Sequence, residues 1–348
     1  MTKEKIKKFM IYGVYGDILK YKNDILTTEK EPWKSYNKWQ WSYITELLIL
    51  TLKSLIPSTK SVKTQIDYNR FREELNLWYY YRHGYNEILL KSAKGKLHKR
   101  NYWIDEDDSV YSRIFLITAS NKEFSEVKDE VIKNILYTTG NIENLLEGIV
   151  LSKLLHLLIN ENNRNIKDLL KEEIIHLSQK DIVEKYRKHF RFDIKTYPNN
   201  YTIVFEKLRI SILNLLNGIK EKRFKRLKIS LDILQGNIIY FDNIEYDFFL
   251  YGLMSLFMPR TKKIDYDNIK LIENLAIYLS KLRNGRIPPE NLYIKDYHLP
   301  DIFKFNEGEF FFHSLLNKCK VIKKEKTNTY IKSLISSKTG MYRFIKIK

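Results

Sequence analysis

The chain has 348 residues, a formal net charge of +19 at pH 7, and a composition that is 44% hydrophobic and 14% aromatic. This apolar content is ample for a packed core and excludes a globally disordered chain. The length exceeds that of an ordinary single domain, so we expect one large domain with a small appendage.

The positive charge would suit a nucleic acid or an anionic membrane, because clustered basic side chains release counterions from phosphates. The 46 lysines outnumber the 15 arginines, however, whereas groove reading and bidentate phosphate binding favour arginine. No apolar run approaches the ~18 residues of a membrane span. Cys319 is the only cysteine, as expected in a reducing compartment. We therefore expect a cytoplasmic protein without a membrane partner, whose charge is mostly a solvated surface.

Two helices are predicted near the start of the chain. Residues 3–22 place their apolar side chains on one stripe, but Gly13 and Gly16 each lower helix propensity by roughly 1 kcal/mol, which indicates a close approach of another element. Residues 41–55 follow, with apolar residues at three- and four-residue steps and Ser42 at the N-cap position. This second helix is expected to point into the core.

The residues that open the second helix resemble a known motif. Trp41 and Thr45, with Ser42 between them, are similar to the Trp-Thr-Asp-Asp-Thr motif of the ADP-ribosylglycohydrolase family, hydrolases related to the dinitrogenase reductase-activating glycohydrolase. The resemblance implies an all-α fold, a compact multi-helix bundle. It also argues against the family's chemistry, because Tyr43 and Ile44 stand where the family has two aspartates.

The first helix carries a second point of resemblance. Gly16 and Asp17 match the start of the family's Gly-Asp-Ala-Leu-Gly motif, whose last glycine is replaced by Lys20. Asp24 stands at the position of a glutamate that lies over the bound ADP-ribose in the family, so Asp24 is the candidate catalytic residue. Without the motif, Asp17 and Asp24 would be interpreted as surface carboxylates near a helix end.

A loop farther along fits the same pattern. Asp108, Ser109 and Arg113 occupy positions that lie beside the substrate in the family. Arg113 keeps the family residue, whereas Ser109 replaces a glycine, and its side chain would narrow the space there.

The family's second metal-binding motif, Gly-Gly-Asp-Thr-Asp-Thr, can be matched in two registers before a strongly apolar helix. One register places Asn237 and Ile239 at the aspartates. The other, which we prefer because it needs no insertion, places Asn243 and Glu245 there and Tyr246 at the last threonine. Neither restores two aspartates, so no cofactor is expected, and Mg²⁺ only if the site has been rebuilt. The ligand-binding cleft that the resemblance implies comprises Asp17, Ser42, Tyr43, Asp108, Arg113, Asn243, Glu245 and Tyr246.

Other helices are predicted at residues 68–81, 124–136, 142–159, 203–216 and 266–282. Asn141 is the expected N-cap of the helix at 142–159, which is apolar nearly all round and should be central. The resemblance covers residues 7–283, so we assign 1–285 to the helical domain and 286–348 to a C-terminal extension. Short strands are expected in this extension from residue 330 onward.

The most concentrated basic run spans residues 220–228. A predicted basic surface there would be the first candidate for an acidic partner or a nucleic acid. It comprises Lys222, Arg223, Lys225, Arg226 and Lys228.

Three functions follow from these patterns. The first is a catalytically degenerate family member that binds an acidic partner protein, as an immunity or counter-defence factor would. The second is a residual binder or hydrolase of ADP-ribose or a related nucleotide with altered metal ligands. The third is a nucleic-acid-binding protein that uses the basic run and the basic tail. We rank them in that order.

Overall fold

The computed structural model describes residues 2–27, 39–58, 63–160, 165–258 and 264–348, most of which are helical. The helices are α1 (Thr2–Thr27), α2 (Tyr43–Ser54), α3 (Tyr68–Trp78), α4 (Glu87–Ala93), α5 (Lys99–Ile104), α6 (Val110–Ser120), α7 (Phe124–Thr138), α8 (Ile142–Ile159), α9 (Ile166–Ile175), α10 (Gln179–Tyr186), α11 (Tyr201–Leu216), α12 (Lys225–Leu234), α13 (Phe248–Phe257) and α14 (Ile269–Arg283). The strands are β1 (Leu55–Pro57), β2 (Thr64–Ile66), β3 (Phe310–His313), β4 (Asn317–Lys326), β5 (Tyr330–Ser337) and β6 (Gly340–Ile347).

Two buried helices form the middle of the bundle. Every residue of α6 is buried, and α8 is buried on nearly all sides. Helices α2, α7, α8, α13 and α14 all pack against α6. The prediction that the apolar helix at 142–159 is central is therefore confirmed.

Two N-caps fix helix starts where the sequence predicted them. The Ser42 hydroxyl accepts a hydrogen bond from the Ile44 N–H at 3.1 Å. The Asn141 side-chain oxygen accepts from the N–H groups of Glu143 and Asn144 at 2.9 and 3.1 Å. Each cap satisfies donors that have no partner within the helix.

The two glycines of α1 allow it to lie close to α13. A Cβ atom at Gly16 would lie 2.7 Å from the Asp247 carbonyl oxygen and from Tyr251. One at Gly13 would lie 2.9 Å from Phe248. A Cβ atom essentially never lies this close to an atom that it is not bonded to, so the predicted close approach at Gly13 and Gly16 is confirmed.

The all-α prediction is only roughly right, because the chain also forms two small antiparallel sheets. Strands β1 and β2 pair with Leu55 opposite Ile66. Strands β3 to β6 form a four-stranded antiparallel meander in chain order. After residue 310, buried and exposed residues alternate in several places with the two-residue period of a strand. A helix has a period of about 3.6 residues and would not place such residues on separate faces. The expected strands beyond residue 330 are present, but the sheet already begins at β3.

The C-terminal sheet packs on the end of α3. The backbone N–H of Ile345 donates to the Tyr80 carbonyl at 2.8 Å, and the Tyr81 and Tyr342 rings meet edge to face at 5.1 Å. The second hydrophobic cluster, beneath this sheet, consists of Leu77, Ile302, Phe303, Leu315, Leu316, Cys319, Ile335 and Phe344. The domain boundary between residues 285 and 286 stays a prediction. Among the described helices, none has both the length and the apolar character that crossing a bilayer requires.

Candidate functional site

Asp17 joins α1 to the start of α2. It is 1% exposed and accepts hydrogen bonds from the Ser42 hydroxyl at 2.5 Å, the Ser42 N–H at 3.0 Å and the Thr45 hydroxyl at 2.6 Å. Burial raises the pKa of the Asp17 carboxyl, while the hydrogen bonds from Ser42 and Thr45 oppose the rise. Both carboxylate oxygens hold the helices together. The prediction that Asp17 and Ser42 belong to a ligand-binding cleft is corrected, because both are buried and hydrogen-bonded to each other.

Tyr43 and Ile44 stand where the family has two aspartates. Ile44 contributes to packing, and Tyr43 forms a hydrogen bond. Ile44 is 5% exposed and belongs to the main hydrophobic core. The Tyr43 hydroxyl donates to Asp108 Oδ2 at 2.6 Å, and the Asn86 amide donates to Asp108 Oδ1 at 3.1 Å. Burial, and after it the charge of Asp108, raises the pKa of Tyr43 well above 10.0, so this hydroxyl remains a donor.

Asp24, the predicted catalytic residue, is brought near Asp108 by the last turns of α1. Lys20 Nζ lies 3.7 Å from Asp108 Oδ2. Although Asp24 is exposed, desolvation by the surrounding protein raises the pKa of its carboxyl, the charge of Lys20 opposes the rise, and that of Asp108 adds to it. These three side chains form one electrostatic group at the mouth of the predicted cleft.

Arg113 is a core residue. It is fully buried, its Nη2 lies 2.5 Å from Asp107 Oδ2 and 2.9 Å from the Thr138 hydroxyl, and its Nη1 lies 2.7 Å from Asn134 Oδ1. Burial lowers the pKa of Arg113, and Asp107 opposes the change. The prediction that Arg113 faces a ligand is corrected, because its donors are directed at Asp107, Asn134 and Thr138 inside the bundle.

The second motif region lies beside α1. Asn243 and Glu245 are exposed, and Tyr246 is 45% exposed. Glu245 forms an ion pair with Lys225. An open depression of about 500 Å³ lies here, lined by Lys20, Asn23, Asp242, Ile244, Glu245 and Tyr246. Glu245 and Tyr246 of the preferred register thus line the same depression as Lys20, while the register itself stays a prediction.

Arg226 points inward. Its Nε lies 2.8 Å from Asp247 Oδ2, and its guanidinium carbon lies 3.9 Å from the centre of the Tyr111 ring. Burial would raise the pKa of Asp247, yet the Arg226 guanidinium and the N–H of Leu250 hold it below its ordinary value. The prediction that Arg226 belongs to the exposed basic surface is corrected, because the nearby carboxylate draws it into the protein.

The rest of the basic run is exposed but partly neutralised. Arg223 forms an ion pair with Glu143, as Lys225 does with Glu245. Lys222 and Lys228 are exposed, and no carboxylate of the described residues lies within 4.0 Å of either. The effective basic surface is smaller than the sequence predicted.

Several buried carboxylates with structural partners were not predicted from the sequence, and Glu46 and Glu147 are two of them. Glu46 accepts hydrogen bonds from Trp78 Nε1 at 2.8 Å and lies 2.6 Å from His83 Nδ1. Glu147 accepts from the Tyr111 hydroxyl at 2.5 Å. Each glutamate lies among apolar residues of a predicted core helix. A carboxylate at such a position is expected to be buried, and a buried carboxylate requires hydrogen-bond partners, so this pattern could have identified both.

These side chains do not fit a two-metal site. Mg²⁺ requires several oxygen ligands in a near-octahedral arrangement. Ile44 offers none, Tyr43 directs its hydrogen at Asp108, and Glu245 is paired with Lys225. In the part of the chain that the structure describes, no three His, Cys, Asp or Glu side chains are grouped so that they could hold a metal ion.

No protein-family model matches this chain, and a comparison with curated proteins finds no similar sequence. The relation to the ADP-ribosylglycohydrolases therefore stays a prediction from the motifs.

Proposed function

We propose that this chain is a catalytically degenerate protein with an ADP-ribosylglycohydrolase-like helical body, which acts in the cytoplasm by binding an acidic partner protein. The observation that carries the proposal is the structural use of the motif positions. Ile44 is part of the core, Asp17 is hydrogen-bonded to Ser42 at the start of α2, and Tyr43 is bonded to Asp108. Residues used in this way support a scaffold that has lost the family's chemistry.

The charge of the chain supports an acidic partner. A net charge of +19 attracts an anionic surface over several ångströms and speeds its encounter. Lys222 and Lys228 are exposed side chains of the predicted basic surface that remain available for such contacts. An immunity or counter-defence factor acts by binding a partner protein, and a hydrolase-like scaffold without catalytic activity is sufficient for that role.

The test is affinity capture from the native cell with the tagged full-length chain. We expect one acidic protein in stoichiometric amount, released as the salt concentration rises. The double variant Lys222→Glu/Lys228→Glu should retain several-fold less of it, whereas the matched variant Lys96→Glu/Lys99→Glu, also at exposed lysines, should retain the wild-type amount. The absence of a stoichiometric protein, or equal loss in both variants, would contradict the proposal.

The second candidate is a residual binder of ADP-ribose or a related nucleotide. The depression of about 500 Å³ beside Lys20 favours it, because Asp24 and Asp108 lie close to the same lysine. This function predicts a ligand-dependent rise in melting temperature, which Asp24→Ala and Glu245→Ala should each abolish. The partner-binding function predicts no such rise with ADP-ribose and Mg²⁺.

A further inference from the structure

The outer face of the sheet formed by β3 to β6 exposes aromatic side chains. Phe310 is 74% exposed and Phe312 is 51% exposed. Phe311 between them packs on the second hydrophobic cluster, as strand alternation requires. Two large rings turned to solvent from one short strand are unusual, and exposed apolar groups gathered in one place mark interaction surfaces.

Each exposed ring is paired with a lysine on the neighbouring strand. Phe310 lies opposite Lys320 and Phe312 opposite Lys318. The Lys320 ammonium is 5.0 Å from the centre of the Phe310 ring. The exposed His298 ring stacks on Phe312 with centroids 6.4 Å apart. The two exposed phenylalanines therefore each lie opposite a lysine of β4, and the Lys320 ammonium lies beside the Phe310 ring.

The sheet region carries a strong excess of positive charge. Residues 310–348 contain nine lysines and Arg343 against a single acidic residue, Glu325, a balance of +9. Glu325 already accepts a hydrogen bond from Tyr330 at 2.5 Å. No carboxylate of the described residues lies within the 4.0 Å ion-pair distance of Lys318 or Lys320. These ammonium groups remain available to an anion.

We propose that this outer face binds single-stranded nucleic acid, independently of the function proposed above. Bases stack on Phe310 and Phe312, and Lys318 and Lys320 contact the phosphates beside them. Residues two apart on a strand are separated by about 6.7 Å, which leaves room for one base on each ring. Stacking on an aromatic side chain tolerates any base, so the face would bind with little sequence preference.

Other occupants fit the observations less well. A second copy of this chain would bring together two sheet regions that each carry an excess of positive charge, and like charges repel. A peptide strand added beside β3 would meet the chain at His298, whose carbonyl accepts from the Ser314 N–H at 2.9 Å and whose N–H donates to the Ser314 hydroxyl at 2.8 Å. An acidic peptide would satisfy the lysines, but it lacks the planar groups that the rings can stack upon.

The test is fluorescence anisotropy of a labelled oligothymidylate of about 12 nucleotides, a length within the range of single-strand sites, with the full-length chain. We expect affinity that falls steeply as salt rises. The double variant Phe310→Leu/Phe312→Leu keeps apolar side chains and removes the ring faces, and it should weaken binding by about 10-fold or more. Lys318→Gln/Lys320→Gln should flatten the logarithmic salt slope by about 1.4, because each phosphate contact on a single strand contributes about 0.7.

A matched control separates this face from charge in general. Lys96→Gln/Lys99→Gln removes two exposed cations outside the sheet and should change oligonucleotide affinity by less than about 2-fold, because these lysines are not part of the proposed face. Circular dichroism melting confirms that each variant is folded. Binding unchanged in the leucine variant, polyglutamate bound as tightly as the oligonucleotide, or no binding at low salt would each overturn the proposal. The outcome of the affinity capture does not bear on it.

Discussion

The predicted cleft and the outer face of the C-terminal sheet use polar and aromatic residues in opposite ways. Around the cleft, charged groups are paired inside the protein, as Asp17 is with Ser42 and Arg226 is with Asp247. On the sheet, Phe310 faces solvent and Lys320 has no carboxylate partner among the described residues. Residue types that suggest a catalytic or binding site in a sequence can thus serve only internal hydrogen bonds and ion pairs. The side chains that are available to a ligand lie elsewhere in this chain.

The largest expected effect tests the internal pairing at Arg226. Arg226→Gln leaves the Asp247 carboxylate, whose side chain is only 13% exposed, without its counter-charge, which should cost about 1–3 kcal/mol in the free energy of unfolding. The control Lys228→Gln, at an exposed lysine on the same helix, should change that free energy by less than about 0.5 kcal/mol. Urea unfolding at pH 7 measures both. Equal effects would mean that Arg226 is a surface cation, as the sequence alone suggested.

The same pair predicts how stability depends on pH. Because the folded state holds the pKa of Asp247 below its ordinary value of 3.8, the ionised carboxylate contributes stability at pH values above that value. The contribution is lost as the pH falls through the folded pKa. The stability difference between the wild type and Asp247→Asn should therefore be full at pH 7 and narrow below about pH 4. A difference that widens in acid would show that the carboxylate is not stabilised by Arg226.

The smallest expected effect tests the open side of the comparison. Phe312→Ser removes a ring that is 51% exposed, so the free energy of unfolding should change by less than about 0.5 kcal/mol. Urea unfolding is again the measurement, with Phe311→Ser as the contrast. Phe311 packs on the second hydrophobic cluster, and its loss should cost more than about 1 kcal/mol. Similar costs at both positions would place Phe312 in a packed environment.

Local patterns predicted the helical part of the fold well. The three- and four-residue spacing located α2 and α8, and the N-caps Ser42 and Asn141 lie where they were expected. Gly13 and Gly16 correctly indicated the close contact of α1 with another element. Each of these signals depends on residues within a few positions of one another, which is why the sequence alone was sufficient.

The ion-pair partners of the charged residues could not be predicted from local patterns. Arg113 and Arg226 are directed inward by Asp107 and Asp247, and the second of these lies 21 residues away along the chain. A partner so distant becomes visible only when the helices are packed. The first two strands of the sheet were missed for a different reason. The four residues of β3 are too few for a two-residue period to be distinguished, and in the longer β4 an irregularity between Val321 and Lys323 interrupts that period.

The central claim is that the residues resembling a glycohydrolase site no longer bind its ligand. Calorimetric titration of the full-length chain with ADP-ribose, with and without Mg²⁺, tests it most directly. We predict no binding heat in either condition, because Ile44 is in the core and the oxygens of Asp17 are occupied. Saturable binding that depends on Mg²⁺ would show that a site has been rebuilt from Asp24, Asn243 and Glu245, and it would contradict the account.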